Sequence, residues 1–297
     1  MSAAAIPPRS RARELGTFLE IQNLGLNLPF ALAFLFLAAR GVPSLRVVTL
    51  VVIAFVAARN AGHSFNRWAD RWLDAQNPRT RDRAVAAGRT APGVALVIAF
   101  GSGAVVIAAA YFLNPLAFVL SPVALALVFG YSYTKRVTSF TTAFLGLVEA
   151  ITPAAVFIAV TGELAPSVLL AVAGLLAWGT AFETVHSLGD LASDRALGLF
   201  SIPVRWGTTA SVRLVALLHG AALTLLALFG LTLGLRWPYF AALAAMAALA
   251  GLGDRGLARD PGATRVLFRR HFVLSALYLA GVLVALFVPV GPALLGP

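Results

Sequence analysis

Residues 45–89 read LRVVTLVVIAFVAARNAGHSFNRWADRWLDAQNPRTRDRAVAAGR. The first part, Leu45–Phe65, is long and apolar enough to cross a hydrocarbon core, which takes about 20 helical residues. No breaker follows until Pro78, so the helix is expected to run on out of the membrane and carry its last turns into water. A membrane helix with a charged end is the unit this stretch defines, and the chain repeats it.

Eight further runs qualify: Ile21–Ala39, Pro92–Leu113, Leu116–Tyr133, Phe140–Val160, Pro166–Leu188, Ser211–Leu233, Tyr239–Gly253 and Phe272–Val290. The reading is an all-α membrane protein, a bundle of nine transmembrane helices forming one domain over residues 1–297. Composition agrees. Of the 297 residues 60% are hydrophobic and 12% charged, whereas soluble domains are about 25% charged. The chain has no cysteine, which excludes thiolate catalysis, disulfides and Cys-ligated metals. Met1–Arg13 is short and basic without a cleavable signal pattern, so insertion is expected to use the first helix.

Charge gives the orientation. With the N-terminus inside, alternate loops hold Arg9, Arg11 and Arg13, the seven arginines from Arg59 to Arg89, Lys135 and Arg136, Arg195, Arg205 and Arg213, and five arginines from Arg255 to Arg270. These are 20 of the 23 basic residues; only Arg40, Arg46 and Arg236 fall on the other side. The positive-inside bias supports nine spans and a cytoplasmic N-terminus together. The net charge of +11 has the same origin. Basic residues dispersed among membrane spans do not suggest a nucleic-acid partner. Nothing in the sequence calls for an obligate protein partner.

The carboxylates carry the chemistry. Asn66, Asp70 and Asp74 lie at i, i+4 and i+8, one face of a helix. Two carboxylates at that spacing repel unless a cation lies between them, and Mg²⁺ favours a few carboxylates plus phosphate and water oxygens. Asn66 can add a neutral oxygen. Taken alone, such a pair also fits a solvated helix end in which Asp70 and Asp74 pair with Arg67 and Arg71. The sequel favours the metal: Pro78 ends the helix and Arg79, Arg81 and Arg83 follow, and guanidinium groups beside carboxylates and a metal suit a diphosphate.

The sixth span ends in a second pair, Asp190 and Asp194, on the same side, with Glu183 two turns deeper on their face. Two pairs on separate helices are what two ions gripping one diphosphate need. Between them lies Tyr131-Ser-Tyr-Thr-Lys135-Arg136. Lys135 and Arg136 can anchor a diphosphate and Tyr131 or Tyr133 line its pocket; the same residues also read as a basic stop with an aromatic belt. Arg59, at the end of an apolar run, either meets an anionic substrate in a cavity or snorkels to the interface. His63 can line the site or serve only the packing. Glu149, inside the fifth span, is too costly to face lipid and is expected to face the bundle interior. Pro153 nearby can open that helix.

Phe65-Asn-Arg-Trp-Ala-Asp70-Arg-Trp-Leu-Asp74-Ala-Gln-Asn77-Pro78-Arg79-Thr80 resembles the first Asp-rich motif of the UbiA-type intramembrane prenyltransferases. Tyr131 to Arg136 is similar to their YxxxKR element. Asp190-x3-Asp194-x3-Gly198, with Ser201-Ile202-Pro203 and Gly207, is similar to their second motif. The 4-hydroxybenzoate polyprenyltransferase branch is the nearest in pattern, with departures at Arg67, at Arg83–Gly88, which lacks a proline, and at His186. The resemblance implies helices around a central cavity in the plasma membrane, capped by cytoplasmic loops. It implies two Mg²⁺ held by Asp70, Asp74, Asp190 and Asp194 with Asn66. It also implies an isoprenyl diphosphate steadied by Lys135, Arg136, Arg79 and Arg83, and a small aromatic acceptor whose carboxylate meets Arg59. Acceptors of another class (a glycerol-phosphate lipid, homogentisate, haem) stay open, as does a cation-coupled transporter.

Overall fold

Hydrocarbon offers no partner to a backbone N–H or C=O, so a spanning segment satisfies its polar groups internally, as helix. The computed structural model describes residues 23–262 and 264–289, and among them there is no strand. The helices are α1 Leu24–Ala39, α2 Leu45–Ala69, α3 Arg71–Gln76, α4 Pro92–Leu113, α5 Pro115–Thr134, α6 Thr141–Thr161, α7 Val168–Ala196, α8 Ile202–Thr232, α9 Trp237–Arg259 and α10 Thr264–Phe287. Among the described residues eight are long and apolar enough to cross a membrane; α1 is apolar but has 16 residues. The basic segment Met1–Arg13, the start of the first expected span at Ile21 and the end of the last at Val290 lie outside the described residues.

Helix ends follow local chemistry. Asn114 accepts from the Ala117 amide at 2.9 Å, capping α5, and donates to the Ile158 carbonyl at 2.8 Å, tying that turn to α6. Ser201 caps α8, accepting from the Val204 amide at 3.4 Å. Gly207 breaks α8 near its start, at φ 78°, ψ 171°, a conformation that costs glycine little. Helix α6 continues through Pro153 from Thr141 to Thr161.

The helices close on each other in order. Helix α7 packs against α6 and α8, α9 joins α8 to α10, α10 returns to α1, and α1 lies against α6; α2, α4 and α5 complete the other flank. One side of this arrangement is filled. Phe34, Phe229, Tyr239 and Tyr278 are fully buried. The Tyr239 hydroxyl donates to the Leu226 carbonyl at 2.8 Å and lies 3.3 Å from the Tyr278 hydroxyl, so neither phenol is buried without a partner.

The α6–α7 seam is a close contact beside the cavity. A Cβ on Gly146 would stand 2.5 Å from Thr180 Oγ1 and 2.6 Å from the Thr180 nitrogen. A Cβ on Gly179 would stand 2.6 Å from Glu149 Oε2 and 3.0 Å from Gly146 Cα. Small residues let helix backbones approach where lipid provides no hydrophobic drive. The other side stays open: α1, α2, α4, α5, α6 and α7 enclose a cavity of about 540 Å³.

Candidate active site

One correction shapes the site. The helix expected to run unbroken to Pro78 is interrupted at Asp70, at φ −95°, ψ 7°, and resumes as the six-residue α3. Asp70 and Asp74 therefore do not share one straight face, although the Asp74 amide still donates to the Asp70 carbonyl at 2.7 Å. The break points the two carboxylates at different partners. Asp70, buried to 1% exposure, lies 2.8 Å from Lys135 Nζ and 3.0 Å from Arg136 Nη2 and accepts from Asn66 Nδ2 at 2.8 Å. Asp74 accepts from Arg83 Nη1 at 3.0 Å through both oxygens. Arg71, a sequence candidate for pairing with these acids, instead donates to the Trp68 carbonyl at 2.7 Å and stacks between Trp68 and Trp72.

The second motif meets the first. Arg79 grips Asp190 through Nε and Nη2, the first at 2.7 Å, and Asn77 Nδ2 lies 3.4 Å from the same carboxylate. Burial alone would lower the Arg79 pKa; the hydrogen bonds and charge of Asp190 outweigh it and raise it. The Phe200 amide donates to the Lys135 carbonyl at 2.8 Å, which holds the loop after Asp194 against the Lys-Arg element. Asn66, Asp70, Asp74, Arg79, Arg83, Lys135, Arg136, Asp190 and Asp194 thus form one rim at one end of the bundle, with the signs of charge interleaved. Asn77 is the bridge that sequence reading left without a role; its signal was its place before Pro78, in the loop that reaches across.

Arg59, His63, Tyr131, Glu149, Glu183 and His186 line the cavity beneath the rim, among walls that include Phe30, Val51, Leu145 and Trp178. The expectation that Glu149 faces the interior therefore holds. Its Oε1 accepts from Asn27 Nδ2 at 3.1 Å. His186 Nδ1 lies 3.5 Å from Glu183 Oε2.

The donor set fits a hard divalent ion. Among the described residues no three His, Asp or Glu side chains converge on one point. An ion at this rim would take one or two carboxylates and complete its shell with phosphate and water oxygens, the usual habit of Mg²⁺. Asn66 and Asn77 add neutral oxygens beside Asp70 and Asp190.

An apolar cavity within a bundle of membrane-length helices, with paired acids and bases gathered at one end, defines an integral membrane protein. Residues 27–275 match the UbiA prenyltransferase family. A 4-hydroxybenzoate octaprenyltransferase of Cupriavidus necator is 32% identical over 253 residues, covering 84% of this chain and 88% of that protein. The apo structure of a UbiA homolog from Aeropyrum pernix K1 superposes with a TM-score of 0.81 at 28% identity, covering 89% of this chain and 98% of the other. A UbiA homolog from Archaeoglobus fulgidus bound to DMAPP and Mg²⁺ shares the fold at 16% identity, with a TM-score of 0.72 and coverage of 93% and 99%. The chain belongs to the UbiA prenyltransferase family and is a membrane-embedded prenyltransferase of it.

Proposed function

We propose that the chain transfers a prenyl group from an isoprenyl diphosphate to the ring of a small aromatic acid, 4-hydroxybenzoate, as a step toward a lipid quinone. The single observation that supports this most is the Arg79–Asp190 contact, which draws the two acidic motifs together over the mouth of an apolar cavity. The name borne by the Cupriavidus necator relative supports the acceptor. The basic loops described above support a rim facing the cytoplasm in the plasma membrane, with the N-terminus on the same side and nine spans.

In this reading Asp70 and Asp74, with Asn66, would hold one Mg²⁺, and Asp190 and Asp194 would hold a second. When bound, the ions neutralise charge on the diphosphate and so ease its departure. Lys135, Arg136, Arg79 and Arg83 turn from their carboxylates to the phosphate oxygens, where negative charge grows as the C–O bond breaks. The electron pair leaves with the diphosphate, and the allylic cation forms in the cavity, away from water that would quench it. A ring carbon of the acceptor attacks that cation, and the ring proton passes to the released diphosphate as the ring regains its aromaticity. Tyr131 lines the path of the allylic head. Arg59 meets the acceptor carboxylate.

The purified protein in lipid, given an isoprenyl diphosphate and 4-hydroxybenzoate, is expected to form a prenylated acid in Mg²⁺ buffer and to lose activity on the order of 10³-fold in EDTA. Undiminished transfer in EDTA, or transfer only to acceptors that are not aromatic, overturns the reading. Arg59→Ala is expected to raise the KM for the acid roughly 10- to 100-fold, with the KM for the diphosphate unchanged, because only the acceptor loses a charge-assisted bond.

A further inference from the structure

Two carboxylates line the cavity without contributing to the rim, Glu149 and Glu183, and Glu183 lies beside His186. Glu149 is held on two sides. Asn27 of α1 donates to Oε1 at 3.1 Å. Oε2 rests against α7 at Gly179, where any Cβ would come within 2.6 Å of it. A glycine at that spot, and an asparagine aimed from a third helix, fix the direction in which the carboxylate presents its remaining lone pairs. They open into the cavity, which Glu149 lines.

The surroundings are of mixed sign. Glu183, His186 and Arg59 are the charged or titratable groups that act on Glu149. Arg59 stands seven residues before Asn66 and Glu183 seven before Asp190, so both lie about 10 Å beneath the rim at 1.5 Å per residue. Arg59, Glu149 and Glu183 thus bring one guanidinium and two carboxylates to the cavity wall beneath the rim. A plain anion suits Arg59 and is repelled by the rest. A ligand with a carboxylate at one end and a hydrogen-bond donor at the other suits the whole set.

We propose that Glu149, oriented by Asn27, receives the hydrogen bond of the acceptor's ring hydroxyl and thereby selects aromatic acids that carry a donor opposite the carboxylate. This rests on the aromatic-acceptor reading above. A hydroxyl donating to a carboxylate releases electron density into its ring, at the carbons that attack. An acceptor without that donor leaves the buried carboxylate unsatisfied, and sites built to bond a hydroxyl reject analogues that lack it.

The test compares 4-hydroxybenzoate with 4-methoxybenzoate, whose ring is similarly activated but has no donor, in the full chain, Glu149→Leu and Glu149→Gln. In the unmodified protein kcat/KM is expected to favour the hydroxyl acid on the order of 100-fold or more. In Glu149→Leu the hydroxyl acid falls roughly 30- to 100-fold while the methyl ether holds, so the preference collapses, and the KM for the diphosphate stays put. Glu149→Gln keeps an oxygen for Asn27 and decides the matter if the leucine variant does not fold; its preference falls by an intermediate factor. An unchanged preference in the variants, or an equal loss for both acceptors, overturns the proposal and makes Glu149 a tie between helices. If 4-hydroxybenzoate is prenylated throughout, that failure leaves the acceptor reading standing. If the unmodified protein prenylates no aromatic acid, both fall.

Discussion

Replacing Asp70 by asparagine is expected to lower prenyl transfer by on the order of 10³-fold or more, and Asp190→Asn to do the same, while both variants still fold. Asparagine keeps the size of the side chain and one acceptor oxygen but removes the charge. At Asp70 that charge faces Lys135 at 2.8 Å, Arg136 at 3.0 Å and the amide of Asn66. No other carboxylate of the first motif can stand in, because the helix break turns Asp74 toward Arg83. A divalent ion would keep only Asp74 as a charged ligand there and would hold the diphosphate more weakly. Folding survives because Lys135 and Arg136, 30% and 37% exposed, can turn to water, so losing their pairs with the buried Asp70 costs on the order of 1–3 kcal/mol of stability. Turnover under single-substrate saturation, read beside a melting curve in the same detergent, checks this. Activity within tenfold of the unmodified protein would remove Asp70 from the site.

Gly146→Leu is expected to leave little folded protein, although Gly146 touches no substrate in the proposed reaction. Even an added methyl meets the Thr180 backbone at 2.6 Å, and a backbone atom of a neighbouring helix does not move aside as a side-chain tip would. Overpacking of one methyl costs roughly 1–3 kcal/mol, and leucine adds three more carbons. The helices must part, and with them the Gly179 notch and the wall of the cavity. Gly101 provides the control, since nothing lies within 4 Å of the position its Cβ would take. There Gly101→Ala is expected to be neutral or slightly stabilising, by about 1 kcal/mol at most, through helix propensity. Monodisperse yield after extraction and the melting midpoint separate the two; similar values for both variants would show that the seam tolerates separation.

Much of this molecule was legible in the sequence, and what was not has a common cause. Apolar run length located the helices because lipid leaves a segment no alternative to helix: Pro92–Leu113 matches to the residue, and the ends of α2, α5 and α6 shift by four residues or fewer. The long overhangs of α7, α8, α9 and α10 beyond their apolar cores escaped, since water tolerates either helix or loop there. The acids and bases of the rim were legible because charge is sparse in such a chain. Who pairs with whom was not. Arg79 reaching Asp190, 111 residues away, and Asn27 reaching Glu149, 122 away, are set by tertiary packing rather than by spacing. The break at Asp70 escaped for a similar reason: Asp70 is helix-compatible locally, and its junction geometry accompanies the hold of Lys135 and Arg136.

The Gly146–Gly179 crossing also constrains how this chain can change in length. Eleven residues separate Gly179 from Asp190, about three whole turns, so the notch, Glu183, His186 and Asp190 face one way. Adding or deleting one residue in that interval would swing everything beyond it by about 100° and turn Asp190 out of the rim, even with every side chain intact. Substitution can explore new acceptors along this helix; insertion and deletion cannot, and length variation is left to the loops at the far end of the bundle.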